Sequence, residues 1–320
     1  MSTLGYTALA VRETPTEGYP RPRLLDRVRD AIRARHYSRS TEKTYVHWIK
    51  RYIFFHGKRH PAEMGAPEAS AFLTSLAVHD KVASSTQNQA LSALLFLYRD
   101  VLGVELPWLD DVVRAKRPVH LPVVLTRDEV RAVLQRLDGP ERLMAILLYG
   151  AGLRLMECCR LRVKDVDFAS NHVVIRNGKG GKDRVTMLPA AVKDLLAGHV
   201  ERVRRQHQAD LLHGAGWVEL PGALALKYPA AGRDWGWQWV FPATRTYVDR
   251  RTGQRRRHHL HESVVQRAVK EAVRAAGITK PATVQELLGH RDVSTTMIYT
   301  HVLNRGPSAV RSPADRMFLS

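Results

Sequence analysis

The sequence predicts a mostly α fold with a small β component: a helical N-terminal bundle followed by a larger mixed α/β module. Three observations predict it. Four stretches between residues 24 and 98 carry apolar side chains at helical spacing. Residues 107–125, PWLDDVVRAKRPVHLPVVL, hold three prolines and no helical stripe, the mark of a linker. Residues 172–187, HVVIRNGKGGKDRVTM, set two strand-like runs on either side of a glycine-rich turn, the pattern of a hairpin. With 320 residues the chain is long enough for two domains and a sizeable core.

The elements follow in order. Residues 1–20 include Gly5, Pro15, Gly18 and Pro20 with little periodicity, and read as a flexible arm. Residues 21–106 form the bundle. Leu24, Leu25, Val28 and Ile32 make its first stripe, and Tyr45, Trp48, Ile49, Tyr52 and Ile53 its second. Ala69, Phe72, Leu73 and Leu76 make the third; Leu91, Leu94, Leu95 and Tyr98 make the fourth, entered through Ser84-Ser85. Basic residues, Arg39 and Lys43 among them, line the first two helices. After the linker, Thr126 with Glu129 spells a capping box before Val130, Val133, Leu134 and Leu137. Val173–Ile175 and Val185–Met187 are the hairpin strands. A helix spans 261–276, burying Val264, Val265, Ala268, Val269, Ala272 and Val273, with Gly277 closing it.

Charge narrows the function. Lys plus Arg is 50 against 31 Asp plus Glu, a net +19. That excess points to a polyanionic partner, nucleic acid first. No apolar run approaches the ~20 residues of a membrane span, and no signal-peptide pattern opens the chain. The two cysteines, Cys158 and Cys159, are adjacent, which argues against a disulfide framework and fits a reduced cytoplasmic setting.

Four stretches can carry chemistry. In Gly150–Glu157 the glycines let the backbone turn sharply before a new helix, placing Arg154 near a helix N-terminus. A guanidinium there can grip two phosphate oxygens; the plainer reading is a surface arginine paired to Glu157. In the hairpin, Lys179 sits at a glycine-rich tip where a lysine is ordinarily a solvated charge. In 217–261, Trp235, Trp237, Trp239 and Phe241 alternate, as on one face of a strand. Arg250, Arg251, Arg255, Arg256, Arg257, His258 and His259 then surround a hairpin return at Thr252-Gly253. Rings interleaved with arginines suit unstacked bases held by phosphate contacts, and a tryptophan-rich core strand is an equal alternative for any one ring. A zinc site at His258, His259 and His261 lacks the thiolate or acidic ligands to complete it. Finally, Val284–Leu303 reads as two short helices, with His290 just past the first and Tyr299 on the second. A phenol beside an imidazole suits phosphoryl transfer; taken alone, the stretch reads first as a core tyrosine and a helix-terminal histidine.

The wording of these stretches changes that weight. LLGHRDVSTTMIYTHV resembles the C-terminal motif of the tyrosine site-specific recombinases, and STTMIYTHVLNRG is close to the integron integrases. GAGLRLME resembles that family's first catalytic-arginine motif. Lys179, in a GKG setting 25 positions after Arg154, resembles its β-hairpin lysine. LKYPAAGRDWGWQWVFP resembles the extra segment of integron integrases, which engages extrahelical bases of folded single-stranded sites. The resemblance implies a core-binding, DNA-binding domain at 21–106 and a catalytic domain at 126–303 with an integron-type insertion at 217–261. It implies that Tyr299 attacks DNA phosphorus to form a 3′-phosphotyrosine link. Arg154 and His290 would bind the phosphate, and Lys179 would protonate the departing 5′ oxygen. No metal or cofactor is needed. The implied DNA-contacting residues are Arg39, Lys43, Trp237, Trp239, Arg255, Arg256, Arg257, His258 and His259. The implied partners are DNA, duplex or folded single-stranded, and three further copies in a tetramer, with the tail 304–320 docking on a neighbour. The implied location is cytoplasmic and nucleoid-associated.

One departure stands out. The family places a histidine and an arginine, H-x-L-R-H, on a helix just before the LLGH motif. Between Gly277 and Gly289 this chain has neither residue. Strand exchange is therefore expected to be very weak or absent while DNA binding survives. The alternative is a catalytically inactive DNA-binding protein occupying recombination or promoter sites. A metal-dependent nuclease is disfavoured by the absence of an acidic cluster.

Overall fold

The computed structural model describes residues 22–106, 125–176, 183–280 and 312–318, and the chain divides into two compact units, Met1–His120 and Leu121–Ser320. Lys179, His290 and Tyr299 lie outside the described residues.

The first unit is the helical bundle. Helix α1 (Leu24–Ala34) buries Val28 and Ile32. Helix α2 (Arg39–Phe55) starts because the Ser38 hydroxyl accepts the Thr41 amide at 3.0 Å, and it buries Val46, Trp48, Ile49 and Tyr52 at helical spacing. Helix α3 (Ala66–Val78) begins where the Glu68 carboxylate takes the Gly65 amide at 2.8 Å. Helix α4 (Ser84–Phe96) runs on into a π-helical turn, Leu97–Leu102, closed by the left-handed Gly103. All four stripes meet in one core containing Ile32, Ile49, Phe72, Leu76 and Leu94, each contributing ~1.5–3 kcal/mol by burial. Its polar atoms are satisfied: Tyr52 and Tyr98 share a hydrogen bond at 2.8 Å, and the Tyr98 hydroxyl donates to the Met64 carbonyl at 3.1 Å. Arg39 and Lys43 lie one turn apart on the exposed side of α2.

The second unit is built around α6 (Gly139–Ala151). Leu143 through Leu148 are all buried, so this helix is apolar on every side and lies inside. Helix α5 (Arg127–Gln135) packs on it, started by the expected capping box: the Thr126 hydroxyl accepts the Glu129 amide and Glu129 accepts the Thr126 amide. Short helix α7 (Leu155–Cys159) follows the left-handed Gly152, with both cysteines buried as core residues. Strands β1 (Val166–Asp167), β2 (His172–Ile175) and β3 (Arg184–Met187) form an antiparallel sheet with Val174 opposite Val185, and β2 and β3 are the two strands the hairpin pattern predicts. Helix α8 (Ala190–Leu212) then leads to α9 (Leu224–Lys227) and to a second sheet of β4 (Pro242–Val248) and β5 (Arg255–His259), joined through the turn at Gly253. Helix α10 (Glu262–Ala275) buries Val265, Val269, Ala272 and Val273, while Val264 and Ala268 are only partly covered.

Helix α11 (Pro313–Phe318) packs Ala314 and Met317 against α6 and α8. The fit is close: a Cβ on Gly150 would lie 2.8 Å from the Ala314 Cβ, the Pro189 Cγ and the Ser312 Oγ. The last carbonyls of a helix have no partner within it. Here three consecutive ones are met from elsewhere. Ser312 donates to Gly150 at 2.9 Å, Thr186 to Ala151 at 2.8 Å and Arg184 to Gly152 at 3.2 Å. Among the described residues no helix is long and apolar enough to cross a membrane.

Candidate active site

Arg154 occupies the position the glycine turn predicts. It is the N-cap of α7, two residues after the left-handed Gly152. Glu157, three residues on, accepts its backbone amide at 2.8 Å and pairs with its guanidinium through Oε1. The Arg154–Glu157 pair has a third member. Arg184 of β3 donates from Nη1 to Oε1 at 2.8 Å and from Nη2 to Oε2 at 2.7 Å. Burial disfavours the Glu157 charge, but the hydrogen bonds from Arg184 and Arg154 outweigh it and hold the carboxyl below its usual range. The Nε of Arg154 is buried without a hydrogen-bond partner. Two guanidinium groups against one carboxylate leave an unneutralised positive charge and an unused donor, which is what an oxyanion needs.

The 217–261 segment departs from expectation. The alternating tryptophans do not form a strand. Trp235–Trp237 is a 3₁₀ turn, and the buried Gln238 amide donates to the carbonyls of Gly216, Gly232 and Asp234 at 3.2 Å, turning the chain inward. Phe241 is a core residue stacked on His199. Trp239 is buried too: its indole donates to the Arg257 carbonyl at 3.1 Å and the Arg162 guanidinium lies 3.1 Å over its ring. Trp237 stays half-buried under the Lys164 ammonium at 3.8 Å.

The arginine run divides in the same way. Arg257 is buried, gripping Asp210 of α8 at 2.8 and 2.7 Å and the carbonyls of Ala243 and Thr244 at 2.8 and 2.6 Å. Arg256 is buried against Asp249 at 3.0 Å. His259 is buried and bonded to the Leu260 carbonyl at 2.8 Å. These side chains, with Trp239, are scaffold, because burial forces each polar group to find a partner inside the protein. Arg255 and His258 are exposed, with Arg255 donating to the His213 carbonyl at 3.3 Å. The missed residues are Arg184 and Thr186. Their spacing of two on a strand was the available signal, since it puts both on one face. Among the described residues no three histidine, cysteine or acidic side chains gather around a metal position.

His259 gives a pH prediction. Burial pushes its imidazole down to about 4, and the neighbouring His258 adds to the effect. Burial also lowers His199 and His207. An unfolded histidine takes its proton near pH ~6.5 while the folded one resists. The neutral form's contribution is therefore fully present above pH ~6.5 and is lost as pH falls toward 4. For His259 it amounts to ~3 kcal/mol. Urea midpoints followed by tryptophan fluorescence are expected to drop between pH 7 and 4.5, and His259→Gln to flatten that drop.

Residues 24–108 match the family described as phage integrase, N-terminal SAM-like domain, and residues 123–283 match the phage integrase family. An integrase/recombinase of Escherichia coli is 48% identical over 316 residues, covering 92% of this chain and 94% of the relative. Since 92% of 320 residues is about 294, about 22 of the 316 aligned positions have no residue here. Tyrosine recombinase XerA of Thermococcus onnurineus is 31% identical over 268 residues, covering 83% of this chain and 86% of that protein. Two crystal structures share the fold: a lambda integrase (75–356) dimer bound to a COC′ core site and a lambda integrase tetramer bound to a Holliday junction. Both have a TM-score of 0.55 and 17% identity, covering 92% of this chain and 93% and 76% of those chains.

Proposed function

Because this chain belongs to the phage integrase family, the tyrosine recombinases, we propose that it is a site-specific recombinase of integron-integrase type that binds its DNA but exchanges strands poorly. The observation that carries the reading is Arg154, held at a helix start with a surplus positive charge beside it and a buried donor unused. A phosphodiester is the ligand such a group fits. In this reading Tyr299 attacks the phosphorus, His290 and Arg154 hold the non-bridging oxygens, and Lys179 protonates the 5′ oxygen that leaves. Bond energy stays in the phosphotyrosine link, so neither a metal nor a nucleotide cofactor enters. Arg39, Lys43, Trp237, Arg255 and His258 are exposed or half-buried and remain the DNA-contacting candidates. The partners are DNA, duplex or folded single-stranded, and further copies of this chain in a tetramer.

The impairment rests on Gly277–Gly289, which offers no arginine or histidine, and the family match ends at residue 283. The same gap favours the second reading, an inactive DNA-binding protein on recombination or promoter sites. Both readings predict tight binding to an integron attachment site over a scrambled one, with affinity falling steeply as salt rises. The recombinase reading adds a trace of Tyr299-dependent product. Recombination at the efficiency of an intact family member would contradict the impairment.

A further inference from the structure

We propose that Arg184 is a positioning residue that keeps Arg154 available to phosphate; this rests on the reading of Arg154 above. Two guanidinium groups compete for one carboxylate. Glu157 is nearly buried and has two oxygens. Arg184 occupies both, at 2.8 and 2.7 Å, leaving the Arg154 guanidinium a single-point contact through Nη1, while the Arg154 amide shares Oε2 at 2.8 Å. With Arg184 present, two guanidinium groups face one carboxylate and the site is positive by one charge. Without it, Glu157 neutralises Arg154 completely and is free to take it in a two-point grip, the favoured geometry of arginine with carboxylate.

The placement of Arg184 serves this role. Its Nη2 also donates to the carbonyl of Gly152 at 3.2 Å, fixing the turn from which Arg154 projects. Two residues along β3, Thr186 donates to Ala151, so one strand face is fastened to the end of α6 at two points. The strand pair that bears Arg184 brackets, in sequence, the segment that contains Lys179. One residue therefore ties that strand pair to the Arg154 turn and sets the charge of the site.

The test uses the full chain with arginine side chains labelled in ¹⁵N. The Arg154 Nε–H resonance, identified by its loss in Arg154→Lys, is followed during titration with inorganic phosphate. Arg184→Gln is expected to weaken phosphate binding at Arg154 about tenfold or more. Adding Glu157→Gln is expected to restore it, since the competing carboxylate is gone. Arg184→Lys, which keeps the charge but not the fork, is expected to fall between. Thermal unfolding of each variant checks that the fold persists. Unchanged phosphate binding in Arg184→Gln would overturn the proposal. So would a loss that Glu157→Gln does not repair, because that marks a merely structural residue. An Arg154 signal that ignores phosphate in the unaltered protein would overturn the Arg154 reading itself, and the proposal with it.

Discussion

Inserting a helical segment with an H-x-L-R-H pattern after Thr283 is expected to raise the rate of covalent adduct formation by ~10³–10⁵. The phosphoryl-transfer transition state carries charge on its equatorial oxygens, and cations aimed at that charge usually supply the largest catalytic term. In the proposed reading, Arg154, with Arg184 beside it, offers one side of that cage. Nothing between Gly277 and Gly289 offers the other. The insertion should change the rate far more than the affinity, because the basic face of the bundle is untouched. A single-turnover assay on a nicked attachment site measures both. A control segment with alanine at the arginine position should leave the rate near that of the chain as it stands.

Asp210→Ala is expected to cost ~3–5 kcal/mol of the second unit's stability. Arg257 is 9% exposed, and Asp210 takes its Nε and Nη2 at 2.8 and 2.7 Å. Removing the carboxylate leaves a buried cation held only by two carbonyls, and the total to draw on is ~5–15 kcal/mol. The melting temperature should fall by roughly 10 °C. Asp210→Ala with Arg257→Met should recover much of the loss, since replacing both members of a buried pair is often near neutral. A melting temperature unchanged by Asp210→Ala would show that the pair does not anchor β4–β5 to α8.

The two units differ in how far local sequence reaches. In the bundle the apolar stripes set the contacts themselves, so Tyr52, Phe72 and Leu94 were legible as core from spacing alone. The Thr126–Glu129 box and the two hairpin strands were legible for the same reason: each is decided by residues a few positions apart. The turn at Gly152 exposed Arg154 as a helix N-cap. The insertion was not legible in this way. Arg257 finds its partner 47 residues away on α8, and Arg162 finds carbonyl partners 75 and 57 residues away, at Trp237 and Glu219. A run of arginines looks like a DNA face until those distant acceptors are known. The alternating tryptophans misled for a related reason. A 3₁₀ turn followed by an inward Gln238 produces the same spacing as a strand, and only burial separates them. Arg184 escaped notice because its partner, Glu157, lies on α7, 27 residues back.

The most direct test of the whole account is a nicked suicide substrate carrying an integron attachment site, run with the intact chain and with Tyr299→Phe. The account predicts equal, site-specific binding by both proteins, and at most a trace of covalent adduct that only the intact chain forms. An adduct formed as rapidly as by a recombinase with both arginine motifs would contradict it, and would mean that another cation completes the pocket.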